Sequence, residues 1–179
     1  LAVLLAAGVA LRAVAMAAYH PALLYIDTPK YLYNEYPGSD PHAYNVLLRA
    51  VLSFGDLGTV ALLQHAAGLA MAVVLYAVLV RRQVARWLAA LAVAPVLLDA
   101  YWLNIEHVIM PDLWFMALLV AALALLLWRP QPAVRLVAAA GVLIGLSATF
   151  KLIGEVLLLP GLVYLVAAGG GWRRVLAVS

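Results

Sequence analysis

Residues 59–80 read TVALLQHAAGLAMAVVLYAVLV, an apolar run without Asp, Glu, Lys or Arg. A helix needs roughly 20 such residues to cross a bilayer's hydrocarbon core. Backbone N–H and C=O groups in that core have no water to bond, so a run of this kind must be helical. Five more runs of the same character flank it, at 1–19, 87–104, 113–128, 134–150 and 152–170, each bounded by Arg or turn residues. The expected fold class is therefore all-α: a polytopic membrane helical bundle of about six transmembrane helices, forming one module over residues 1–179.

Composition agrees with that reading. Of the 179 residues, 68% are hydrophobic and 11% charged, and the mean hydropathy is +1.07. Soluble domains are nearer 45–50% apolar and about 25% charged. A soluble enzyme, a disordered tail and a free nucleic-acid-binding domain are excluded. The length leaves room for five to seven spans and one substantial loop. The net charge of +3 comes from Arg at helix ends, which points to membrane topology and away from nucleic acid. With no Cys, disulfides, thiolate metal sites and a Cys nucleophile are excluded. The chain opens at Leu1 and ends at Ser179 just after a basic pair, as expected of a fragment of a longer chain.

The arginines orient the bundle. Arg81, Arg82 and Arg86 fill one connection, Arg129 and Arg135 flank Pro130-Gln131-Pro132, and Arg173 and Arg174 follow the last run. Positive residues favour the cytoplasmic side, so the connections at 20–58, 105–112 and near 151 face outward. All eight acids (Asp27, Glu35, Asp40, Asp56, Asp99, Glu106, Asp112 and Glu155) fall in that outward half. A solvated outer surface and an outward-facing reaction site explain this equally well.

The outward loop 20–58 carries two short helices. Thr28-Pro29 reads as N-cap and first turn of a helix over Pro29–Tyr36, ended by Pro37-Gly38-Ser39-Asp40-Pro41. A second helix over His42–Phe54 sets Val46, Leu47, Val51, Leu52 and Phe54 against Asn45 and Arg49, a pattern expected to lie in the membrane interface. Gly55 and Gly58 break it before the next span.

No Walker loop, dinucleotide fingerprint, His-Glu-x-x-His or Gly-x-Ser-x-Gly is present. The chemistry-bearing candidates are ionisable groups at or inside the membrane, which are costly to keep there. Asp27 could serve as a general base or a metal ligand, or with Thr28 could cap the following helix. Asp112 starts a span after Pro111, where a carboxylate also suits the helix dipole. Glu106 and His107 are adjacent and should not point at one site from a regular helix. Lys151 either pairs with Glu155 one turn on or holds a phosphate, to which His42 and Arg49 could contribute. Arg12, deep in the first run, calls for an ion-pair partner, and Gln64 and His65 read as helix–helix hydrogen-bonders.

In this order the elements resemble the N-terminal half of the GT-C superfamily of membrane glycosyltransferases. Among its members they are most similar to the bacterial lipid-carrier-dependent branch with protein O-mannosyltransferases and aminoarabinose transferases. The resemblance rests on an Asp-x-x-x-Tyr element (Asp27 to Tyr31), a Pro- and Leu-rich helix ending in Gly-Asp (Pro41 to Asp56) and Gln-His-x-x-Gly (Gln64 to Gly68). A Pro-Asp start at Asp112 and Gly-Leu-Ser-Ala-Thr-Phe-Lys (Gly145 to Lys151) complete it. It covers nearly the whole chain through order and topology, not through one specific motif. Many relatives carry a second acid directly after the first-loop Asp, where this chain has Thr28, and Phe150 interrupts the Thr-Lys element.

The resemblance implies a transferase of the bacterial cytoplasmic membrane, facing the extracytoplasmic side. It would move sugar from a polyprenyl-phosphate donor to a glycan, lipid or protein acceptor hydroxyl, with inversion. Asp27 and Asp112 would be the catalytic carboxylates and the ligands of any divalent cation. Lys151, His42, Arg49, Tyr31, Glu106 and His107 would bind substrate. A non-catalytic scaffold subunit of the cell envelope and a transporter or flippase-like module for the same lipid are the rival expectations.

Overall fold

The computed structural model describes residues 1–33 and 41–167. Residues 37–40 of the expected turn, Glu35, Arg173 and Arg174 lie outside these residues, and so does the side chain of Glu155. Every regular element among the described residues is helical: α1 (Ala2–Ala18), α2 (Thr28–Tyr33), α3 (Ala43–Leu52), α4 (Leu57–Arg81), α5 (Arg86–Leu98), α6 (Ala100–His107), α7 (Asp112–Leu127), α8 (Val134–Ala148), a 3-10 turn (Leu152–Leu157) and α9 (Leu158–Ala167).

Local chemistry sets the boundaries. Pro21 follows α1 and cannot continue a helix. Asp56 caps α4: it accepts from Thr59 N at 2.8 Å, while Thr59 Oγ1 accepts from Asp56 N at 3.2 Å, a reciprocal capping box. The run at 87–104, expected as one span, is broken. Pro95 lies inside α5, Asp99 caps α6 through Trp102 N at 3.0 Å, and the two helices meet at 52°.

Among the described residues only α4, at 25 residues, is long and apolar enough by itself to cross a membrane, and the bent α5–α6 pair passes the same test as a unit. The other apolar helices have 10–17 residues. Among the described residues the count by length is one or two spans, not six: the runs at 113–128 and 134–150 have only 16 and 17 residues themselves, matched almost end to end by α7 and α8, and the run from 152 opens with a 3-10 turn.

Three apolar clusters hold the bundle. α7 and α8 join through Ala122, Leu126, Val137, Ala140 and Ile144. α4 and α5 join through Ala72, Val93 and Leu97, with Leu1 and, from α1, Leu4 and Leu5 packed alongside. The third, at the other end from the arginine turns, joins Tyr31, Tyr44, Leu48, Val51, Val60, Ile109 and Phe150. It corrects the expected face of the second loop helix: α3 buries Tyr44, Asn45, Leu48 and Val51, leaving Val46 and Phe54 exposed. The inward stripe follows the 44, 48, 51 spacing of helical neighbours.

Candidate carboxylate site and buried ion network

Residues 108–111 between α6 and α7 are not helical, yet Val108, Ile109 and Pro111 are buried. Their carbonyls and those ending α6 need donors, and each donor comes from a different part of the chain. Gln64 Nε2 donates to Glu106 O at 2.8 Å and to Val108 O at 2.9 Å. Leu23 N donates to His107 O at 3.2 Å, and Ile109 N returns a bond to Leu23 O at 3.0 Å. Thr28 Oγ1 donates to Ile109 O at 3.1 Å and accepts from Tyr25 N at 2.7 Å. Thr28, fully buried, therefore ties the first loop to the α6–α7 connection.

That tie places Asp27, one residue before Thr28, at the same end of the bundle as Asp112, three residues after Ile109. Asp112 Oδ1 accepts from Lys151 Nζ at 2.5 Å, and both side chains are about one-third exposed. The first-turn carboxylate is thus spent on Lys151. Asp27 Oδ1 lies 3.4 Å from Lys30 Nζ, with its side chain 45% exposed. Lys30 also sits 5.2 Å over the Tyr31 ring, which packs edge-on to Tyr44. Tyr44 donates to Gln64 Oε1 at 3.1 Å. Burial, then the nearby Tyr31 and Asp112, push its hydroxyl far above the ordinary tyrosine value, so it remains a donor.

The other expected groups divide. Ala43 N donates to Thr149 O at 3.2 Å, which sets the start of α3, and with it exposed His42, against the Thr149–Lys151 turn. Arg49, nearly two turns further along α3, is exposed and joins no contact in this group. A divalent cation does not fit: Asp27 and Asp112 each already face an ammonium group. Among the described residues, no three His, Asp or Glu side chains are grouped to hold a metal.

Glu106 and His107 lie deeper, in a network the sequence did not reveal as one unit. Arg12 Nη1 donates to Gly8 O at 3.1 Å and Leu97 O at 3.0 Å, and Nη2 donates to Val96 O at 3.0 Å. The guanidinium thus caps the carbonyls freed at the α5 break. Nη2 also meets Glu106 Oε1 at 2.5 Å. Glu106 Oε2 lies 2.7 Å from His65 Nδ1, His65 Nε2 lies 2.9 Å from His107 Nδ1, and His107 Nε2 lies 3.1 Å from Tyr19 O. Adjacent Glu106 and His107 converge after all, because one imidazole bridges them with its two nitrogens.

A carbonyl only accepts, so His107 Nε2 donates to Tyr19 O. Gly68 makes room for the network: a Cβ there would overlap the Glu106 carboxylate.

A depth count along the helices was the available signal. Arg12 lies seven residues before Tyr19 and His65 nine after Asp56, about 10 and 13 Å from the same end at 1.5 Å per residue. Tyr44 carried no such signal. No family model matches the chain, and neither a curated protein nor a solved structure is similar to it.

Proposed function

We propose that the chain is a membrane-embedded glycosyltransferase module that moves a sugar from a polyprenyl-phosphate carrier to an acceptor hydroxyl on the extracytoplasmic face of a bacterial cytoplasmic membrane. The carrying observation is the Thr28–Ile109 tie, which brings two carboxylates 85 residues apart in sequence to one end of the bundle, where one of them, Asp112, pairs with Lys151.

Membrane insertion is supported by inverted polarity. α1 buries Arg12 and exposes Val3 at 82% and Val14 at 65%, and α4 buries Gln64 and His65 while Leu62 is 57% exposed. In water this arrangement would cost heavily; in lipid it places ionisable groups in the bundle interior and aliphatic ones outside. The six-span arrangement belongs to this proposal. α4 and α5–α6 reach by length, α1, α7 and α8, at 17, 16 and 15 residues, rise about 22–26 Å, and the sixth span is the run that begins at Leu152 and includes α9. A shortfall of that size is met by local thinning of the bilayer.

Asp27 is the more exposed of the two carboxylates and acts as general base. It takes the proton of the acceptor hydroxyl as that oxygen bonds to the anomeric carbon. The bond from that carbon to the phosphate oxygen breaks on the opposite side, and the phosphate leaves with the electron pair, so configuration inverts. An ammonium has three N–H donors, of which Asp112 takes one. The others face the leaving phosphate and offset its growing charge, and Asp112 aims the cation.

The test is transfer from a panel of radiolabelled polyprenyl-phosphate sugars in membranes holding the native-length protein or Asp27→Asn. Transfer with the parent and none with the variant, at equal expression, is the expected result. Full activity in Asp27→Asn would remove the assignment. No transfer from any donor with both proteins folded would favour the scaffold or transporter reading.

A further inference from the structure

The end of the bundle remote from the carboxylates carries a separate cleft of about 970 Å³ between the α4–α5 turn and the α7–α8 turn. Its size is that of a small-molecule site. Arg81, Arg82 and Arg129 line its polar side, and Tyr76 and Val80 line its apolar wall. Arg81 is held in place: its Nε donates to Trp128 O at 2.8 Å, and its guanidinium lies 4.9 Å over the Trp128 ring. These contacts use Nε and the flat face, and neither Nη group. Among the described residues no carboxylate pairs with Arg81, Arg82 or Arg129; the four ion pairs are Arg12–Glu106, Lys30–Asp27, His65–Glu106 and Lys151–Asp112. The three arginines are exposed and, among the described residues, have no protein counter-charge, one of them is fixed by stacking, and a planar guanidinium matches phosphate oxygens two at a time.

We infer that this cleft binds a phosphate group, with an anionic phospholipid as the source that its apolar wall fits. The head-group phosphate bridges Arg81 and Arg129, and the glycerol and first methylenes lie along Tyr76 and Val80. The site is independent of glycosyl transfer.

The experiment is native mass spectrometry of the purified full chain in detergent, titrated with phosphatidylglycerol, with phosphatidylcholine, or with inorganic phosphate. Arg81→Gln/Arg129→Gln removes the cleft's cations. Arg86→Gln/Arg135→Gln removes the same charge from arginines of the same end that do not line the cleft. One tightly held phosphatidylglycerol is expected, with phosphatidylcholine much weaker. Each basic residue at an anionic surface is worth about fivefold, so the cleft pair should lose about thirtyfold and the control pair under threefold. Arg81→Lys, which keeps the charge and loses the fork, should lose less than the roughly fivefold of a removed charge. Binding of inorganic phosphate as tight as that of the lipid, lost in the same cleft variant, keeps the phosphate site and assigns it a soluble source. Equal loss in both double variants, or no preference for phosphatidylglycerol or inorganic phosphate over the zwitterionic phosphatidylcholine, overturns the inference.

Discussion

Gly68→Ala isolates the buried ion network with one methyl group. In most exposed helices this change is stabilising by at most about 1 kcal/mol, because Ala loses less backbone freedom. Here the added Cβ would occupy the space of the Glu106 carboxylate. The carboxylate must swing away from Arg12 and His65, leaving a guanidinium of 4% exposed side chain without its counter-charge. Separating a buried pair in this way costs about 3–5 kcal/mol, so the net loss should be about 2–4 kcal/mol. The assay is a double-mutant cycle, with unfolding in mixed detergent micelles followed by circular dichroism for the parent, Gly68→Ala, Glu106→Ala and the double variant. With the Glu106 carboxylate gone there is nothing to overlap, so the double variant should be as stable as Glu106→Ala or slightly more so. An equal loss from Gly68→Ala in both backgrounds, or none in the parent, would refute the reasoning.

Thr28→Val keeps the shape of a fully buried side chain and deletes its bonds to Tyr25 N and Ile109 O. It should cost about 1–3 kcal/mol, speed hydrogen exchange at Tyr25 and slow the proposed transfer although Asp27 is intact; unchanged exchange at Tyr25 would contradict the tie. Asp56 should give an acid dependence. The Thr59 backbone N–H first, then its hydroxyl, hold this carboxyl below the usual range. A folded value below the unfolded one of about 3.9 means that its contribution is fully present above that value and is lost as pH falls through the lower folded one. Asp56→Asn should flatten the acid limb of stability against pH, and parallel limbs in parent and variant would contradict this.

Much of the architecture was legible locally. A hydrophobic run declares its helix because no other conformation satisfies its backbone in an apolar medium, and Pro21, Pro29, Asp56, Pro111 and Gly55 mark element ends by their own chemistry. Candidate groups stood out for the same reason, since Asp27, Asp112 and Lys151 interrupt apolar sequence. Less legible was which face of a mixed helix turns inward: α3 has apolar residues all round, and contact with Ile109 and Phe150 selected Tyr44 and Leu48 over Val46 and Phe54.

The helical class and most element boundaries were readable along the chain, because they depend on sequence neighbours. Tertiary structure alone decided the partners. It gave Asp112 to Lys151, Arg12 to Glu106 and Thr28 to Ile109 across 39, 94 and 81 residues. A charge buried in a bundle specifies that it needs a partner, but packing of α1, α4, α5 and α6 determines which one lies within reach.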